Sequence, residues 1–269
     1  KPAFTAAGYQ VPTTIDELMT LADKIRASGK APWCIGEESG SASGWPGTDW
    51  IEELVLKQSG PDVYDKWVSH AVKFEDPPIK AAFDTYAKIA LTPGNVFGGS
   101  KSIVSTAFST AANPMFTTPP GCFLHKQRNF VTQKGFLSEK VRANIDTTLG
   151  VFPFPKGKFD TVEGGGDVAA LFTKNDTNVT KVLKEITEDP TLAAVWAVPS
   201  ARGLLSPHND SVLTKYGNES VRSIPKIDYS TTAHRCHASG PNHSKRCAVR
   251  LLSRIRVSPP VRSDHTPPL

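Results

Sequence analysis

Between Pro32 and Trp50 the chain sets three tryptophans, Trp33, Trp45 and Trp50, among three carboxylates, Glu37, Glu38 and Asp49. Flat aromatic rings can cover the apolar C–H faces of a pyranose, while planar polar groups hydrogen-bond its hydroxyls. Trp45 is the expected stacking residue, with a core aromatic as the alternative; Trp33, Trp50, Trp67 and Trp196 are expected to face the core. Neighbouring residues on an extended chain point to opposite sides, so at most one of Glu37 and Glu38 can face a cleft, and Glu38 is assigned that role. Asp49 is expected in the first turn of a helix, where unpaired N–H groups favour a carboxylate with or without a ligand.

Two more groups could contribute. Phe123, His125 and Gln127 alternate along the chain and would share one face of a strand, although a hydrogen-bonded structural role is the commoner fate of a lone histidine such as His125. The run Gly164 to Asp167 has a backbone that permits close ligand approach at Gly166, and Asp167 could accept sugar hydroxyls; a plain hairpin turn is the alternative.

The elements that must position these residues are readable in outline. Thr14 and Glu17 make a capping box for a helix whose apolar face is Leu18, Leu21, Ala22 and Ile25 and whose stop is Gly29. A short strand is predicted over 32–35, then a glycine- and serine-rich turn over 36–44. A second helix opens near Pro46 and ends near Gly60. Structural helices are predicted over 61–68 and 77–91, and a further helix over 179–188 is followed by a short one through Trp196. Residues 123–130, 150–154 and 168–172 read as strands. The alternation of the two periodicities predicts an α/β architecture.

Composition narrows the chemistry. At 269 residues with 39% hydrophobic and 21% charged residues, the chain can bury a sizeable core. The formal charge of +5 is unevenly placed: beyond Tyr229 seven basic residues face one acid, which leaves residues 1–229 at about −1. A near-neutral body suits an uncharged ligand better than a polyanion, so no nucleic-acid partner is expected. Residues 230–269 contain no Phe, Trp or Tyr and are expected to be disordered, or to be an off-frame reading of a GC-rich coding sequence. Cys236, His237, His243 and Cys247 could approach a tetrahedral zinc site, but they lack the apolar positions that small zinc modules pack around the metal, and no metal or cofactor is expected. Carboxylates beside aromatics also describe a glycoside hydrolase, with Glu38 acting beside Asp49 or Asp167. No nucleophile-elbow or zincin motif accompanies them, and no catalytic residue is assigned.

The segment Ala7-Ala-Gly-Tyr-Gln-Val-Pro-Thr-Thr-Ile-Asp-Glu-Leu18 resembles the entry to the C-terminal lobe of the family 1 extracellular solute-binding proteins of ABC sugar importers. Pro32-Trp-Cys-Ile-Gly-Glu-Glu-Ser-Gly40 and Gly44-Trp-Pro-Gly-Thr-Asp-Trp-Ile-Glu52 resemble that family's α-glucoside-binding subunits. Pro120-Gly-Cys-Phe-Leu-His-Lys-Gln127, Gly164-Gly-Gly-Asp167 and Leu205-Ser-Pro207 follow in the same order. By resemblance to the family's maltose-binding protein, Trp45-Pro46 matches its Trp-Pro, Glu38 is the nearest match to its Glu, and Phe123 stands where that protein has a cleft Trp.

The resemblance implies the C-terminal lobe of a type II periplasmic-binding-protein fold, without the N-terminal lobe and the closing C-terminal helices. Residues 1–229 would be an incomplete solute-binding domain. It also implies a sugar ligand, membrane permease partners, and a place in the periplasm or at the extracellular face, tethered as a lipoprotein in the full-length parent. Cys34 and Cys122 read as two buried thiols in isolation; an extracellular setting favours a disulfide between them.

Overall fold

The computed structural model describes residues 1–161, 163 and 176–188, which fall into two compact units, 1–161 with 163 in the first and 176–188 in the second. In the first unit, α1 (Pro2–Ala6) precedes α2 (Ile15–Ala27). The capping box is formed: Glu17 N–H donates to Thr14 Oγ1 at 3.2 Å, and the Glu17 carboxylate accepts from the N–H groups of Thr13 at 2.7 Å and Thr14 at 3.3 Å. These bonds hold the exposed Glu17 carboxyl below its usual range. Ile15, Leu18, Leu21, Ala22 and Ile25 are buried along one side, and Gly29 ends the helix at φ 77°, a conformation that favours glycine.

The helix delivers the chain to β1 (Ala31–Trp33), which pairs in parallel with β2 (Cys122–Leu124) in the register Ala31 to Cys122 and Trp33 to Leu124. Val96 bridges Trp33 on the other edge of β1. Then come α3 (Trp45–Ser59), α4 (Pro61–Val68) and α5 (Pro77–Leu91), each with proline at its first or second position, where the missing N–H costs nothing. Helix α3 packs on α5 and α4 while α2 packs on β1. The core between them contains Leu18, Ile25, Trp33, Trp50, Leu54, Ile79 and Ile89, all at most 3% exposed. Trp50 is its hub, edge-on to Trp33 at 5.3 Å and stacked on Tyr86 at 5.6 Å. Burial of each large apolar side chain of this kind contributes roughly 1.5–3 kcal/mol. A smaller cluster gathers Ala112, Leu137, Val141 and Ile145 around α6 (Glu139–Ala143) and α7 (Ile145–Thr148).

Two predicted strands are shorter or absent. The one over 123–130 stops at Leu124, because the Cys34 carbonyl that the next rung of the ladder would use accepts instead from His125 Nδ1–H at 2.8 Å. The one over 150–154 forms no ladder; pairing begins only at Lys156, which exchanges backbone bonds with Thr13 at 3.0 Å and Ile15 at 2.9 Å, while Phe152 and Phe154 pack on the core. In the second unit, α8 (Thr177–Glu188) starts two residues earlier than predicted because the Asp176 carboxylate accepts from the N–H groups of Asn178 and Val179. The strand over 168–172, the helix through Trp196, Gly166, Asp167 and everything beyond residue 188 lie outside the described residues. Among the described residues no helix is long and apolar enough to cross a membrane.

Candidate ligand-binding site

In a parallel sheet the crevice for a ligand lies beyond the carboxyl ends of the strands. There the chain leaving β1 runs through Cys34 to the turn at Gly44, whose φ of 97° turns it into α3. Trp45 opens that helix and does not join the core. Half-buried, it meets Phe108 edge-on at 5.1 Å and Phe130 at 5.9 Å, and Phe136 closes the group at 5.9 Å from Phe108 and 5.2 Å from Phe130. All four rings stay half-buried, and none belongs to either core cluster described above. Phe108, Phe130 and Phe136 escape a sequence reading because they sit singly in polar, irregular segments with no periodicity to expose them.

The two adjacent glutamates do separate. Glu37 turns inward: its carboxylate accepts from the Tyr86 hydroxyl and lies against the start of α3, so close that a Cβ on Gly47 would fall 2.7 Å from its Oε1. Burial and that carboxylate raise the Tyr86 phenol above its usual range. Glu38 stays at the turn, half-buried, with Oε1 accepting from Gly40 N–H at 2.7 Å and its backbone paired to the 106–108 segment, so the loop carrying Phe108 is fixed to it.

Asp49 is not in the first turn. It is the fifth residue of α3, and the carboxylate beside the helix start is that of Glu37. Asp49 instead receives a two-pronged bond from Arg128, Nε and Nη2 each at 2.9 Å, and Arg128 also donates to Glu163 at 2.6 Å. Lys126 adds an ion pair to Glu163 at 3.8 Å, a bond to the Asp49 carbonyl at 2.9 Å, and a cation–π contact with Trp50 at 5.4 Å. One turn further along α3, Glu53 pairs with Lys57 at 3.7 Å, and Lys57 Nζ donates to the Thr161 carbonyl. Burial pushes the Glu163 carboxyl up to about 8 against the pull of Lys126 and Arg128; it also raises Glu53 and lowers Lys57. Asp49, Glu53 and Lys57 recur every four residues, a spacing that could have marked a charged stripe.

The second predicted group does not share a face, because β2 ends before it can. Phe123 packs edge-on against Tyr9 at 5.3 Å, beside the core. His125 donates to the Cys34 carbonyl, and burial lowers its imidazole below the usual histidine range, so Nδ1 carries the proton. Gln127 folds back to accept from Arg128 N–H at 2.9 Å. Cys34 and Cys122 form a disulfide, with Cα atoms 5.6 Å apart, that ties the end of β1 to the start of β2. Among the described residues no group of three or more His, Cys, Asp or Glu could hold a metal ion, and the cysteine–histidine group of the tail lies outside them.

A strand end, a glycine-rich turn and a helix that begins with a half-buried tryptophan place a cluster of four rings next to the turn that carries Glu38. A family model for bacterial extracellular solute-binding proteins matches residues 1–189. The osmoprotective compounds-binding protein GgtB of Synechocystis sp. is 35% identical over 227 residues, covering 83% of this chain and 52% of that protein. The alpha-glucosides-binding periplasmic protein AglE of Rhizobium meliloti is 33% identical over 239 residues, covering 88% of this chain and 51% of that protein. The solved structure of a chitin oligosaccharide binding protein shares the fold at a TM-score of 0.57 and 15% identity, over 86% of this chain and 56% of that one. The chain belongs to the bacterial extracellular solute-binding protein family, and spans about half the length of the curated relatives it matches. The family and both relatives are binding proteins, and the hydrolase alternative loses its ground with them.

Proposed function

We propose that this chain is the larger, C-terminal lobe of the carbohydrate-binding subunit of an ABC importer, capturing an α-glucoside or related oligosaccharide outside the cell and delivering it to the membrane permease. The observation that carries the reading is the half-buried ring cluster led by Trp45, set beside Glu38 at the carboxyl ends of the strands. Rings kept out of the core beyond the carboxyl ends of the strands have a role that core packing does not supply, and stacking on a sugar face is the chemistry they suit.

In this reading Trp45 stacks, Glu38 accepts sugar hydroxyls, and Gly166 with Asp167 supplies a further edge. Asp49, closed off by Arg128, shapes the wall. Phe123, His125 and Gln127 support it from behind and offer the ligand little. The name of one relative, for α-glucosides, favours a neutral hydroxylated ligand. Residues 1–229 then form the solute-binding part and residues 230–269 a separate tail, in a parent held in the periplasm or at the extracellular face by a lipid anchor.

Titration of the chain with maltose, trehalose and sucrose, followed by tryptophan fluorescence, tests this. At least one sugar is expected to shift the emission, and Trp45→Ala is expected to abolish the shift. A saturable response unchanged in Trp45→Ala would move the site elsewhere, and silence towards every neutral sugar would remove the reading.

A further inference from the structure

The loop that carries Phe108 also serves a second concavity. Phe108 turns to Trp45, whereas Thr106 and Thr110, two residues to either side, line a cavity of about 370 Å³. It opens where the chain leaves β1 at Cys34 and Ile35 and where the segment bridged to β1 at Val96 continues into Phe97. That volume falls within the roughly 300–1,000 Å³ of small-molecule sites.

The described lining has a consistent chemistry. Ser102, Thr106, Thr110 and Asn113 bring hydroxyls and an amide, Phe97 and Pro114 bring apolar faces, and no charged residue is among them. Ser102 spends its proton on the Phe97 and Gly99 carbonyls, at 3.2 and 2.8 Å, which leaves its oxygen lone pairs as acceptors. Thr106 and Asn113 make no side-chain hydrogen bond among the described residues. The Phe97 ring is 48% exposed, yet it lies so close over Gly121 that a Cβ there would fall 2.6 Å from Cε2. A ring that is half exposed while one of its edges is held against Gly121 is placed for contact with something outside the chain.

We propose that this cavity is a second binding site, taking one neutral pyranose ring. Phe97 covers the C–H face of the sugar, and Thr106, Asn113, Ser102 and Thr110 exchange hydrogen bonds with its hydroxyls. A charged sugar acid would find no counter-ion among the described lining residues and would lose its hydration on entry. The inference rests on the reading of the chain as a sugar receptor, but it concerns a different surface from the Trp45 cluster.

The test is a ¹H–¹⁵N correlation spectrum of the chain titrated with methyl α-D-glucopyranoside. The amides of Gly98, Ser102, Thr106 and Asn113 are expected to shift together on one saturation curve. Thr110→Trp, which fills the cavity from its exposed rim, is expected to weaken that curve at least tenfold while the Trp45 indole response persists; Asn113→Ala is expected to weaken it less. Silent cavity amides with a responding Trp45 indole would overturn the second site and leave the receptor reading standing. Silence at both places would overturn both. A stronger cavity response to benzyl alcohol or to glucuronate than to the glucoside would overturn the ligand class.

Discussion

Helix α3 presents opposite anomalies at its two ends. At its start Trp45 and three phenylalanines, which burial would favour, remain half-exposed. Towards its other end Glu53 and Lys57, which water would favour, are 6% and 2% exposed. Large apolar groups left half outside and charges taken inside are both unusual, and under the proposed function the difference separates their roles: the rings serve a ligand, the charges the position of the helix.

The largest test of that separation is Lys57→Met. It leaves Glu53 and the Thr161 carbonyl without their buried cation and is expected to cost about 3–5 kcal/mol in urea unfolding. Pairing it with Glu53→Gln should recover much of the loss. Next, Arg128→Met removes the two-pronged bond to Asp49 and the bond to Glu163; a loss of about 2–3 kcal/mol is expected, and Arg128→Lys should restore only part of it because an ammonium cannot reproduce the planar fork.

At the ring end the balance reverses. Phe130→Ala should lower stability by only about 1–2 kcal/mol, since the ring is half-buried, yet weaken sugar binding about tenfold or more by calorimetry. Equal effects of Phe130→Ala and Lys57→Met on both readouts would erase the distinction.

A further test concerns pH. The folded-state Glu163 carboxyl is raised to about 8, above its unfolded value, so between about pH 4.5 and 8 the folded chain holds a proton that the unfolded chain has released. The contribution of this group to stability is therefore fully present below about pH 4.5 and declines as pH rises through that window. Urea midpoints at pH 5, 6.5 and 8 should fall in that order, and Glu163→Gln should flatten the decline.

What the sequence could convey was local. Thr14 with Glu17, the prolines at positions 61 and 77, and the apolar faces of α2 and α5 specify their helices through neighbours a few residues away. Long-range partners were hidden. Strand β2 ends early because a side chain, His125, takes a carbonyl 91 residues away in sequence, and the partner of Asp49, Arg128, is 79 residues away. The inward turn of Glu37 depends on Tyr86 from another helix and on the missing side chain of Gly47. Trp45 was visible as an aromatic beside carboxylates, but its three companions become a group only when three separate segments meet.

The disulfide between Cys34 and Cys122 has a consequence for durability. The two cysteines are 88 positions apart, so the bond closes a covalent ring that contains α3, α4, α5 and the loop bearing Phe108. A protease that cuts one peptide bond anywhere from Ile35 to Gly121 opens that ring without producing two molecules. Within such a nicked chain, Trp45 and the Phe97 cavity remain fastened to the same pair of strands.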